Sequence, residues 1–293
     1  MTADVPTPLA EVDWDGRDTT IGEIEKQLAL LREAASEGST QPNLRTSVMT
    51  HIAWVPPTWK GQAEVTLAGM AERHPSRTLL LVPAPEDEDG LDASVAIRCF
   101  PVSDRAVCGE VIELTLRGNR TDAPASIVQP LLISDLPVFC RWRGEPPFGA
   151  GPFEQLVDIA DRLIVDSSEW DELRYEDLAK IFGRTAVSDI AWARTDDWRR
   201  ELAGYWPEIR EREIWIRGPR AEAELIRGWL NARLDRAVRA VEPAPTLAVR
   251  LGGEELPHPS DEAASPSDLL SAELDNFARN KIYEQAVLAA AGA

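Results

Sequence analysis

The chain has 293 residues, 44% hydrophobic and 6% aromatic, with 31 Lys and Arg against 50 Asp and Glu for a formal net charge of −19. That length suits one large or two ordinary domains with a substantial core, and the charge excludes nucleic acid and anionic membranes as natural partners, since both repel a chain this acidic. No run approaches the ~20 apolar residues of a membrane span, and Met1-Thr-Ala-Asp-Val-Pro6 lacks the basic and apolar regions of a signal peptide, so a cytoplasmic protein is expected.

Residues 1–19 are acidic and contain prolines, and are read as a mobile lead. Thr20-Ile-Gly-Glu23 has the form of a capping box, and Ile21, Ile24, Leu28, Leu31 and Ala35 follow at helical spacing up to Glu37-Gly38-Ser39. A strand is predicted over 44–55, stopped by Pro56-Pro57, and a helix over 59–73 with Ala63, Leu67, Met70 and Ala71 inward. Thr78-Leu-Leu-Leu-Val82 reads as a strand buried on both faces. The acidic stretch Glu86–Asp92 is a loop, and 93–101 with 108–117 form an antiparallel hairpin. A helix over 123–133 precedes a strand over 137–142; 144–152, rich in Gly and Pro, is a loop; 162–165 is another buried strand. Helices are expected at 171–182 and 196–205. A strand at 213–217 and Gly218-Pro219 lead into a long helix with Pro in its first turn, its stripe being Ile226, Trp229, Leu230, Leu234 and Val238. A half-buried strand at 246–251, an exposed loop at 252–268 and helical pieces at 266–277 and 280–290 complete the chain.

Strands alternating with helices predict an α/β fold with a mixed, helix-covered sheet in two α/β domains. The expected divisions are an N-terminal lead and helix (1–41), a first domain (42–168) and a second (169–293).

The sequence offers no catalytic centre. His51, His74 and His258 lie far apart without metal-ligand spacing. His51 falls in a strand, His74 at a helix end where an imidazolium suits the dipole, and His258 in a Pro-rich loop. No metal site and no cofactor are expected. Cys99 and Cys108 lie on the two arms of the hairpin, where they could face each other; these two and Cys140 are read as reduced, buried thiols. Gly149-Ala-Gly151 is followed by Pro152 and is no dinucleotide fingerprint. Asp166-Ser167-Ser168 has no His assigned near it and reads as a helix cap. Gly218 and Arg220, at a strand-to-helix joint, are candidate anion-binding residues. Ten tryptophans against three tyrosines are mostly core, with two or three available for an interface.

The most distinctive stretch is Leu131-Leu-Ile-Ser-Asp-Leu-Pro-Val-Phe-Cys-Arg-Trp-Arg-Gly-Glu-Pro-Pro147. Strand alternation sends Arg141 and Arg143 to one side and Trp142 to the other, at a strand end where α/β proteins commonly bind ligands. Two guanidiniums on one side can grip a carboxylate or phosphate, or pair with the chain's own acids. Arg141, Trp142, Arg143 and Trp170 are the candidate partner-binding residues; Asp135, Pro137 and Gly144 shape the fold.

That stretch, with His74-Pro-Ser-Arg-Thr-Leu-Leu-Leu-Val-Pro83 and Asp161-Arg-Leu-Ile-Val-Asp-Ser-Ser-Glu-Trp170 in this order and spacing, resembles the bacterial glucose-6-phosphate dehydrogenase assembly protein (OpcA) family; Ala53-Trp-Val-Pro-Pro57 and Glu213-Ile-Trp-Ile-Arg217 extend the likeness over residues 45–290. The resemblance implies a non-enzymatic protein that binds glucose-6-phosphate dehydrogenase, promotes its active oligomer and raises its activity, supporting NADPH supply through the oxidative pentose phosphate pathway. Cysteines toward the C-terminus are linked to redox control in some members; this chain has none after Cys140. The competing expectation is a sugar-phosphate- or nucleotide-binding sensor or enzyme using Arg141, Arg143 or the Gly218–Arg220 turn.

Overall fold

The structure, a computed structural model, describes residues 10–37, 43–44, 47–68, 73–102, 105–238, 240–259 and 264–292. Contacts divide the chain into two units, Met1–Leu163 and Ile164–Ala293.

In the first unit the elements run β1 (Ala10–Gly16), α1 (Ile21–Glu37), β2 (Asn43–Leu44), β3 (Thr50–Trp54), α2 (Lys60–Ala68), β4 (Arg77–Ala84), β5 (Gly90–Val102), β6 (Arg105–Arg117), α3 (Pro124–Val128), β7 (Val138–Trp142), α4 (Gly151–Ile159) and β8 (Arg162–Val165), whose middle carries the division. The sheet order is β1-β5-β6-β4-β3-β7, with β2 beside β6. Strands β6, β4, β3 and β7 are mutually parallel, while β5 and β1 add antiparallel. The α/β class and the mixed sheet therefore agree with the sequence. Leu79, Leu80 and Leu81 are all buried, as a strand covered on both faces requires.

The two covering helices can be assigned to faces from ion pairs on β6. Glu110 binds Arg32 of α1, whereas Glu113, three residues on, binds Lys60 of α2. An odd separation on a strand means opposite faces. On its face α2 closes a small core of Ala53, Val55, Ala63, Leu80 and Val82, with Trp59 and Leu67 packed against it.

Several expectations change. Residues 10–16 of the supposed mobile lead form β1, paired along its length with β5 from Ala10↔Cys99 to Gly16↔Ala93. The acids did not prevent this because Glu11, Asp13 and Asp15 alternate with half-buried Val12 and Trp14, leaving every charge on one face. The capping box is half formed. The Glu23 amide donates to Thr20 Oγ1 at 3.3 Å, but the Glu23 carboxylate accepts from Gln27 and does not reach back. Strand β3 is shorter than the 44–55 run. Helix α2 is described as far as Ala68, and residues 69–72 of its expected continuation lie outside the described residues. The 123–133 helix stops at Val128 and becomes a 3-10 turn at Gln129–Leu131, where Pro130 has no N–H to give. Gly151 and Pro152 open α4, since Pro is tolerated in a first helical turn.

Cys99 and Cys108 form a disulfide, which replaces the expected free thiols. The β5–β6 register sets the two residues directly opposite each other. Cys140 is a buried thiol, its pKa pushed up to about 12 by burial. His51 lies in β3, buried, and burial with the neighbouring Arg141 charge brings its pKa down to about 4.

The second unit opens with the end of β8 beside β9 (Ala186–Asp189). It contains α5 (Tyr175–Ile181), α6 (Ile190–Arg194), α7 (Asp196–Gly204), β10 (Ile214–Gly218), α8 (Arg220–Leu234), β11 (Ala240–Pro243), β12 (Ala248–Leu251), β13 (Glu254–Glu255), α9 (Pro266–Leu274) and α10 (Lys281–Ala291). Its second sheet is ordered β11-β10-β12-β13. The β10–α8–β11 crossover makes β10 and β11 parallel, and β12 adds antiparallel. Strands β9 and β11 were not foreseen. Ile214, Ile216, Val249 and Leu251 face a core shared with Ile226, Leu230 and Leu234 of α8. Helix α10 packs on α8, and Gly228 permits the approach: a Cβ there would lie 2.2 Å from the Ala286 carbonyl oxygen.

Candidate partner-binding surface

The Leu131–Pro147 stretch is built as a buried strand flanked by two residues in the left-handed region. Asp135 and Gly144, on either side of β7, hold φ of 65° and 77°. Asp tolerates that region better than most residues, and Gly has no Cβ to oppose it. Asp161 fixes the strand's start: its carboxylate accepts the Val138 N–H at 2.8 Å and its own N–H donates to the Val138 carbonyl.

Alternation at the strand's exit is as expected, but both sides are covered. Trp142, 3% exposed, stacks on Trp54 with ring centroids 4.8 Å apart and meets the edge of Phe153 at 5.0 Å. Arg143 lies on the α2 side, its guanidinium 4.6 Å over the Trp59 ring and its Nη2 donating to Gln62 Oε1 at 3.2 Å. Arg141 is also buried, with Nη1 donating to the Trp142 carbonyl at 3.1 Å. The structure thus brings Arg141 and Arg143 together on one side, where internal groups engage them.

Trp170, in the second unit, is buried against Tyr175. Next to it lies a polar knot. Asp166 receives two bonds from Arg194 and caps Ser168, while Glu222 takes a third bond from Arg194. Asp189 accepts from the Ser167 and Ala191 amides at 3.0 and 2.9 Å and from Ser167 Oγ at 2.7 Å. Burial, reinforced by the Asp166 charge, raises Asp189 to about 7, and burial also raises Glu222. Ser167 is completely buried, while Ser168 is exposed with its hydroxyl donating to Asp166 at 2.6 Å and accepting from Arg194 at 2.9 Å.

Gly218 is buried at the end of β10, where a Cβ would meet Leu247 at 2.8–2.9 Å. Its requirement for glycine comes from packing. Arg220 is exposed and donates to the Asp171 carbonyl at 2.9 Å. It lines a cavity of about 360 Å³ together with Arg174, Glu176, Asp177 and Glu224. Three carboxylates in that lining face two guanidiniums, and Arg174 is already bound to Asp177, so the local field does not favour an anion.

Sequence reasoning overlooked the aromatic side chains that do reach solvent. Trp206 is 54% and Trp215 40% exposed. The signal for Trp215 was legible: in Glu213-Ile-Trp-Ile-Arg217 the two isoleucines point inward and alternation turns the indole out. Among the described residues no cluster of three or more His, Cys, Asp or Glu could hold a metal, and no helix is long and apolar enough to cross a membrane.

Residues 68–181 match the glucose-6-phosphate dehydrogenase subunit N-terminal domain family. This span runs from the end of α2 to α5 and includes the whole Leu131–Pro147 stretch. Three relatives carry the name OxPP cycle protein OpcA. Over 185 residues the chain is 29% identical to that of Nostoc punctiforme, covering 57% of this chain and 39% of the relative. Over 182 residues it is 28% identical to that of Synechocystis, covering 56% and 38%. Over 185 residues it is 28% identical to that of Synechococcus elongatus, covering 56% and 41%. The chain thus spans about two fifths of the length of the relatives it matches.

Proposed function

We propose, for a chain whose residues 68–181 belong to the glucose-6-phosphate dehydrogenase assembly (OpcA) family, a non-catalytic role: it binds glucose-6-phosphate dehydrogenase in the cytoplasm, favours its active oligomer and so supports NADPH production in the oxidative pentose phosphate pathway. The observation that carries this reading is the coincidence of the family match with β4 to α5, the part of the chain holding its most distinctive motifs. The engagement of Arg141 and Arg143 by internal groups also favours it over a sugar-phosphate sensor built on those two residues.

The mechanism is linkage. A protein that binds the active oligomer more tightly than inactive forms shifts the equilibrium by its differential affinity and needs no catalytic group of its own. A coupling of about 1–3 kcal/mol corresponds to roughly 5–150-fold in affinity. In such a scheme the buried Arg141, Trp142, Arg143 and Trp170 hold the fold together and do not touch the partner themselves. Mixing the purified chain with the dehydrogenase tests the proposal: co-elution with a shift toward the larger oligomer is expected, and separate elution with an unchanged oligomer distribution rejects it.

A further inference from the structure

Among the described residues, the α2 face of the first unit's sheet is covered over one half only. Under α2, strands β3, β4 and β7 are buried at nearly every position. Beyond the helix, β5 and β6 alternate between buried and half-buried residues, and β1 between half-buried and exposed ones. The half-buried set shares a face with Glu113, which binds Lys60 of α2. One row across this open face runs Asp13, Ala96, Val111, and the next runs Asp15, Ser94, Glu113. The result is a platform with Ser94, Ala96 and Val111 at its centre, Glu113 on the side toward α2, and a row of carboxylates along its outer edge. Two strand spacings make it roughly 10 Å across, close to the width of one helix or one protein ridge.

The acidic row is Glu11, Asp13 and Asp15, at alternate positions on β1 and so on one face. Arg98 on β5 pairs with Glu11 at 2.7 Å. Among the described residues neither Asp13 nor Asp15 has a cation within ion-pair distance. The chain's net charge of −19 deepens the potential there.

We propose that this open face of β1, β5 and β6 is the docking surface for the dehydrogenase, and that it receives a Lys- and Arg-rich face of that enzyme. The proposal rests on the assembly reading above and adds a place and a chemistry to it. Charge complementarity selects the occupant: a basic ridge finds small side chains to lie against and two uncompensated carboxylates to meet, whereas an acidic surface or a second copy of this chain brings like charges together. Complementary fields of this kind act mainly on the rate of association and on its salt dependence.

The experiment follows association of the full-length chain with purified dehydrogenase by surface-based kinetics at low and physiological salt. Wild type is compared with Asp13→Lys/Asp15→Lys, with Asp13→Asn/Asp15→Asn, and with Glu25→Lys/Glu33→Lys, which places the same added charge on α1, against the opposite face. Circular dichroism verifies that each variant is folded. Steered association is accelerated by about 10–1000-fold and loses this advantage as salt rises. The lysine pair on β1 is therefore expected to slow association at least tenfold at low salt, the asparagine pair to fall between it and wild type, and the α1 control to change it less than twofold. Equal slowing by both lysine pairs would reduce the effect to net charge and overturn the proposal. Unchanged rates in every variant would move docking elsewhere while leaving the assembly reading intact. A wild-type chain that fails to bind the dehydrogenase rejects the assembly reading and this inference with it.

Discussion

Asp189 should make the second unit less stable as pH rises toward neutrality, and replacing it with Asn should remove that dependence. The carboxyl is completely enclosed. It accepts from the Ser167 and Ala191 amides, from Ser167 Oγ and, at 3.4 Å, from Tyr283 OH. Those donors favour the ionised form, yet burial and the nearby Asp166 charge outweigh them and lift the group from 3.8 to about 7. The sign follows from the proton balance. Below about pH 4 both folded and unfolded chains hold the proton. Between about 4 and 7 the unfolded chain releases it and the folded chain retains it, so unfolding gains about 1.4 kcal/mol per pH unit. Above 7 both are ionised and the loss is complete. From pH 5 to pH 8 this one group should cost about 3 kcal/mol. In Asp189→Asn the acceptor Oδ1 is kept for the two amides, and the new amide group donates to Ser167 Oγ in place of accepting from it, a rearrangement worth about 1 kcal/mol. Urea unfolding of both proteins at pH 5 and pH 8 isolates the effect, because every other titrating group is shared. The stability difference should move in favour of the variant by about 3 kcal/mol over that range. A difference that stays constant with pH, or moves toward wild type, would refute the reasoning.

Three further outcomes follow from packing and pairing. Glu110 bridges Arg32 of α1 and Arg77 of β4 at 2.6 and 2.8 Å; burial pushes its pKa up, but the Arg32 bond and the Arg77 and Arg32 charges outweigh this and hold it below 4.5. Glu110→Ala should cost about 3–5 kcal/mol in denaturant titrations because two arginines lose their shared partner, with the wild-type contribution fading as pH drops through the Glu110 pKa. Gly228→Ala should destabilise the second unit although Ala favours helices by about 1 kcal/mol, because the added methyl meets the Ala286 carbonyl; a raised melting temperature would contradict the α8–α10 packing. Reducing Cys99–Cys108, which closes a loop of nine-residue separation, should lower stability by about 2–3 kcal/mol without unfolding the chain, since the β5–β6 ladder extends on both sides of the bond; circular dichroism with and without reductant measures it.

The sequence disclosed elements wherever one periodicity dominated. The Leu79-Leu-Leu81 run, the β5–β6 hairpin and the α8 stripe as far as Leu234 lie where expected because apolar spacing alone determines them, whereas Val238 falls beyond the helix, which stops at the left-handed Asp235. Strand β1 was hidden by its acids, which look like a solvated lead until a partner strand shows that all of them face one way. Strand β9, Ala186-Val-Ser-Asp189, has too few apolar residues to stand out. The disulfide depends on hairpin register, which one chain read alone does not supply. At the candidate site, alternation correctly divided Arg141 and Arg143 from Trp142. What local sequence could not convey is that Trp59 and Gln62, some eighty residues earlier, would cover Arg143, or that Trp54 would stack on Trp142. Long-range packing decided exposure there, as it did for the open half of the sheet.

The central claim, that this chain acts by holding another enzyme in its productive state, is tested most directly by titrating it into a fixed amount of glucose-6-phosphate dehydrogenase under subsaturating substrate. NADPH formation should rise and level off at the same ratio of the two proteins at which complex formation saturates. A rate that stays flat while the two proteins bind, or NADPH formation by this chain with no dehydrogenase present, would contradict it.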